Sequence, residues 1–104
     1  MTAALQLRIR GQVSSAVCRT TPKGLPVLVV QLTDAAGQEV RATHAYADAS
    51  QSSHYAAAAL ARSLRGQVAE VDATNPRFRS RRLDCDAALI YPAQSPSHSR
   101  KDLE

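Results

Sequence analysis

The chain has 104 residues, enough for one domain with its own core and too few for two of common size. Hydrophobic residues make up 44% of it and aromatics only 4%, so the expected core is small and built from Val, Leu, Ile and Ala, which makes self-association through a sheet edge or face unsurprising. The formal charge is +4, and no apolar run approaches the roughly 18 residues of a membrane span, so the composition points to a basic cytoplasmic protein with no place in a membrane.

Leu5, Leu7 and Ile9 alternate with Gln6, Arg8 and Arg10, the period-two pattern of a strand with one wet face. Gly11 interrupts it before Val13 and Val17 resume, and a glycine inside a strand marks a bulge or a sharp coil. Pro22, Gly24 and Pro26 then predict a loop from Thr20 to Pro26 with Lys23 at its tip. Val27 to Leu32 is nearly all apolar, the composition of a strand buried on much of both faces. Asp34 to Gln38 predicts the next hairpin turn, and Glu39 to Tyr46 a third strand.

Asp48 to Arg65 contains neither proline nor glycine, is rich in alanine, and spaces Ala56, Leu60 and Leu64 by four, which predicts the single helix. Asp48 and Ser52 are the candidate caps and Gly66 the terminator. Gln67 to Ala73 reads as a fourth strand in which the odd spacing of Val68 and Val71 predicts an irregularity. In the fifth, Leu83, Cys85, Ala87, Leu89 and Tyr91 alternate with Asp84, Asp86, Ala88 and Ile90 until Pro92 stops it. The domain is expected over residues 5–92. Residues 93–104, polar and charged, are expected to form a disordered tail.

The fourth and fifth strands are joined by Asn75-Pro76-Arg77-Phe78-Arg79-Ser80-Arg81-Arg82, with four arginines around the chain's only phenylalanine. Eleven of the thirteen basic residues are arginine, and guanidinium groups fork onto phosphates and release counterions while a ring offers an unpaired base a flat surface. Treated as one extended segment, Arg77, Arg79 and Arg81 share one face and Phe78 and Arg82 the other. A solvated turn and a buried Phe78 are the plain alternatives.

Three strands, a helix and two strands, with a glycine-broken first strand, is the element order of the five-stranded OB-fold barrel, all-β with one helix, which binds oligonucleotides across its second and third strands and the loops after its first and fourth. Gly11-Gln12-Val13, Thr21-Pro22-Lys23-Gly24-Leu25-Pro26-Val27 and Leu64-Arg65-Gly66-Gln67-Val68 together resemble the bacterial single-stranded DNA-binding protein family and its relative, primosomal replication protein N, over roughly residues 5–91. The resemblance implies binding of single-stranded DNA, with RNA as an alternative, in replication, recombination or repair, by a homo-oligomer such as a dimer or tetramer. In such an OB-fold module Lys23, Arg77, Arg79, Arg81 and Arg82 are expected to meet phosphates, Phe78 a base, and Arg8, Arg10 and Arg41 to line the groove. Tyr46, near the end of the third strand with His44, stands where the family often carries a contact, although its parity with Val40 and Ala42 leaves either face open.

The chain departs from the family in its scarce aromatics and in a basic rather than acidic tail, which suits a plasmid, phage or accessory version, and binding that leans on phosphates. The competing reading is an OB barrel that docks on a replication partner. Chemistry is not expected: His44, His54 and His98 lack metal-ligand spacing, Cys18 and Cys85 form no paired motif, and no glycine-rich phosphate loop exists. Ser52, Ser53 and His54 fit a helix start better than a nucleophile with its base, and Asp84 and Asp86 lack further oxygen ligands for a cation. No cofactor is therefore expected.

Overall fold

In the computed structural model, which describes residues 6–93, strands β1 (Gln6–Thr20), β2 (Pro26–Asp34), β3 (Glu39–Ala45), β4 (Val68–Arg79) and β5 (Arg82–Pro92) close into a barrel in the order β1-β2-β3-β5-β4. One helix, α1 (Gln51–Leu64), lies between β3 and β4. The β3–β5 ladder is parallel and the others are antiparallel, so the barrel is the five-stranded OB-fold expected from the element order. Residue 5 and the tail from residue 94 lie outside the described residues.

The long first strand closes the barrel by serving two neighbours. Its first half pairs with β4 from Gln6 to Gln12 and its second half with β2 from Gly11 to Thr20, so Gly11 faces both Ala69 and Asp34. A Cβ on Gly11 would stand 2.5 Å from the Thr33 carbonyl oxygen and 2.6 Å from Leu32 Cδ1, which is why glycine occupies the crossing. The bulge itself falls two residues later, between Val13 and Ser15. It reverses the strand's phase, so that Val13 and Ala16 are both buried in the core while Val17 pairs with Val29 on the outer surface.

Two further expectations are corrected in β4 and β5. Val68 and Val71 mark no irregularity: Val68 is exposed, and Ala69, Val71 and Ala73 alternate regularly into the core. In β5 the alternation holds through Leu83, Cys85 and Ala87 and then shifts at an extra residue, Ala88, which leaves Leu89 56% exposed and buries Ile90. The core therefore joins Leu28, Val30 and Leu32 of β2 and Val40 and Ala42 of β3 to the inward residues of the other strands.

The helix begins at Ser50, not at Asp48 or Ser52. Ser50 Oγ accepts from the Ser53 amide at 3.1 Å, and Asp48 braces this turn by accepting from the Ser50 amide at 2.9 Å and the Ser53 hydroxyl at 2.7 Å. Its buried stripe is Ala57, Ala61 and Leu64 with Leu60 partly covered, whereas Ala56 is exposed. Small residues let the helix approach β1, β2 and β5 closely and close one end of the barrel. Gly66, with φ of 74°, turns the chain into β4, and the Gln67 amide donates to the Leu64 carbonyl at 3.0 Å.

Candidate nucleic-acid interface

At the barrel end opposite the helix, β4 and β5 run on beyond β3. The basic segment, expected as a connecting loop, is a two-stranded ribbon in which Arg77 faces Asp84, Phe78 faces Leu83 and Arg79 faces Arg82. Ser80 and Arg81 form its two-residue turn with φ of 49° and 67°, the positive values a type I′ hairpin turn demands of both central positions. At its base an extra residue at Asn75–Pro76 shifts the register, with Asn75 at φ 53°. All three non-glycine residues with positive φ among those described thus lie in this ribbon.

The turn alters which arginines share a face. Because the chain reverses at Ser80 and Arg81, Arg82 returns to the face of Arg77 and Arg79, and only Phe78 and Leu83 occupy the other. Arg82 Nε is held by Asp84 at 2.9 Å, while Arg77 donates to the Asn75 carbonyl at 3.0 Å and stands 3.7 Å from Asp86. Arg79 and Arg81 are exposed and have no carboxylate partner among the described residues. Two guanidinium-bearing residues directly across a ladder, Arg79 and Arg82, repel unless an anion lies between them. Phe78 is 72% exposed and is not a lid on the barrel mouth.

This arginine face continues onto the barrel. Successive pairings set Ser15, Gln31, Arg41, Asp84 and Arg77 in one row across β1, β2, β3, β5 and β4, all on the outer surface. Arg82 lines a small pocket of about 40 Å³ with Gln31, Thr33 and Glu39. The next row, Val17, Val29, Thr43 and Asp86, carries no ring, and Val29 is buried to 8% exposure outside the core cluster. Arg19, exposed on the outer face beside Val27, was hidden in the sequence because the Val13–Ser15 bulge changes the parity by which it would be placed.

Lys23 is exposed in the turn between β1 and β2, where Gly24 donates to the Thr21 carbonyl at 2.8 Å and His54 Nε2 donates to the Gly24 carbonyl at 3.0 Å. It stands at the opposite end of the β2–β3 surface from the ribbon. Six residue steps from Val27 to Thr33, at about 3.3 Å each, make that surface roughly 20 Å long.

The remaining candidates lie elsewhere. Arg8 and Arg10 project from the β1–β4 ladder, where Arg8 Nε is 3.1 Å from Asp72 and Arg10 is 3.6 Å from Glu70. The Asp72 hydrogen bond holds the Arg8 guanidinium above its ordinary pKa. These two arginines, on β1, are separated from Arg41 on β3 by β2 in one direction around the barrel and by β5 and β4 in the other. Tyr46 packs partly against the core, its ring edge-on to His44 at 5.0 Å, and burial raises the pKa of its phenol. His44 faces inward with it and donates through Nδ1 to the Ala87 carbonyl at 2.8 Å.

Among the described residues no three His, Cys, Asp or Glu side chains gather as metal ligands, and no helix is long and apolar enough to cross a membrane. Comparison of the sequence with protein-family models and with curated proteins finds no match to either.

Proposed function

We propose that this chain is a non-enzymatic module that binds single-stranded DNA and serves replication, recombination or repair. The observation that carries the reading is the meeting of Arg77, Arg79 and Arg82 on one face of the β4–β5 ribbon, continuous with Arg41 on the barrel and with Arg79 lacking an acidic partner among the described residues. A polynucleotide crossing the β2–β3 surface would exchange its counterions for these guanidinium groups, with Arg81 at the ribbon tip and Lys23 at the far end. Arg8 and Arg10 belong to another side of the barrel and contribute long-range field rather than contacts. Tyr46, turned toward the core, is not assigned a contact.

With no ring in the Val17–Val29–Thr43 row, binding would rest on phosphates and be indifferent to sequence. RNA offers the same phosphates and belongs in the test as a competitor. Homo-oligomers, dimers or tetramers, suit so small a core and would lengthen the bound strand.

Fluorescence anisotropy with a labelled oligothymidylate across a salt series tests the proposal. Tight binding at low salt that weakens steadily with added salt is expected; no binding at low salt would refute it. The lack of a ring in the Val17–Val29–Thr43 row favours a second reading, docking on a replication partner. Under that reading, replacing Arg79 and Arg81 by alanine would leave oligonucleotide binding unchanged.

A further inference from the structure

We propose that the β4–β5 ribbon recognises the junction between single- and double-stranded DNA, with Phe78 stacked on the last base pair of the duplex while the continuing single strand follows the arginine face. This deepens, and rests on, the single-strand-binding reading.

The inference comes from the two-sidedness of the ribbon. Arg77, Arg79 and Arg82 share the outer face, which runs on into the Arg41 row, and Phe78 stands on the reverse with Leu83. Leu83 packs against the core, whereas Phe78, directly across the ladder from it, is 72% exposed. A single strand lying on the outer face has the backbone of the ribbon between its bases and that ring. Phe78 therefore serves nothing on the path of the strand that the arginines hold.

An apolar ring flanked by guanidinium groups is the chemistry of a wedge at a base step, and unstacking is least expensive where a duplex already ends. The ribbon is braced for such a load. Gln38 Nε2 donates to the Arg81 carbonyl at 3.2 Å, tying the tip to the β2–β3 turn, and the Arg82–Asp84 pair at 2.9 Å locks its outer face. The Asn75–Pro76 bulge bends the ribbon where it leaves the barrel, as bulges do when they re-aim a side chain.

The test compares three labelled DNAs of matched length, a single strand, a blunt duplex and a duplex with a single-stranded arm, by anisotropy at one salt concentration. The arm-bearing duplex is expected to bind about tenfold more tightly than either of the others, the scale of one stacked base. Phe78→Ala should bring it down to the single-strand level while changing single-strand affinity less than about twofold, and Phe78→Trp should keep the preference. Arg79→Ala should weaken both substrates. The exposure of Phe78 makes these exchanges compatible with folding, which circular dichroism checks.

Equal affinity for the single strand and the junction would overturn the inference and leave single-strand binding intact. So would a Phe78→Ala variant that weakens both alike, since the ring would then stack within the bound single strand. Absence of binding to every substrate would instead bring down the reading beneath it.

Discussion

Gly11 and Asp48 show how single residues set the frame for the interface. A methyl group on Gly11 would press on the Thr33 carbonyl and Leu32 side chain where β1 changes partners. Gly11→Ala is expected to destabilise the fold by about 1–3 kcal/mol, the usual penalty of overpacking, measured by urea unfolding. Asp48 is held by hydrogen bonds from Ser50 and Ser53 at a pKa of about 2, below its ordinary 3.8. The unfolded chain therefore binds the proton more readily, so the contribution of Asp48 to stability is complete above its ordinary pKa and lost as pH falls toward 2. The stability gap between the natural chain and Asp48→Asn should close across that window in urea titrations. A gap that stays constant or widens on acidification would contradict the assignment. The sequence announced a glycine break and a serine-rich helix start, but not that Ser50 caps while Asp48 braces, because each of these short side chains can accept from a nearby amide.

At the scale of elements, alternation marks the inward face of each strand up to its bulge. The order of strands and helix, the doubly buried β2 and the turn at Asp34 all follow from local pattern. Ala88 and the Val13–Ser15 bulge each insert one residue and invert the parity beyond them, which turns Leu89 and Arg19 outward where simple alternation points them in. The ribbon is not legible in the sequence because Ser-Arg is an unusual pair at a two-residue turn, where Asn-Gly is the recognised signal. Left-handed backbone at such residues costs roughly 1–2 kcal/mol each, retained here at a tip that carries the exposed Arg81. The double exchange Ser80→Asn, Arg81→Gly should therefore raise thermal stability while weakening oligonucleotide binding. A variant gaining stability with undiminished binding would remove Arg81 from the interface.

Over the whole molecule, the closed barrel sorts one basic composition into two kinds of surface. Along the β1–β4 ladder arginines alternate with acids that answer them, Arg8 with Asp72 and Arg10 with Glu70. Across β3, β5 and the ribbon, Asp86 and Asp84 answer Arg77 and Arg82, but Arg41, Arg79 and Arg81 have no such answer among the described residues. The net charge of +4 was plain from the sequence, but this division was not, since it depends on which strands the barrel makes neighbours.

The most direct test of the account is the salt dependence of oligothymidylate affinity in two paired variants. Each phosphate contact on a single strand contributes about 0.7 to the slope of log K against log salt. Arg79→Ala with Arg81→Ala is predicted to lower that slope by about 1.4, whereas Arg8→Ala with Arg10→Ala leaves it nearly unchanged. An unaltered slope in the ribbon variant, or an equal loss in the Arg8 and Arg10 variant, would contradict the claim that the exposed ribbon grips the strand.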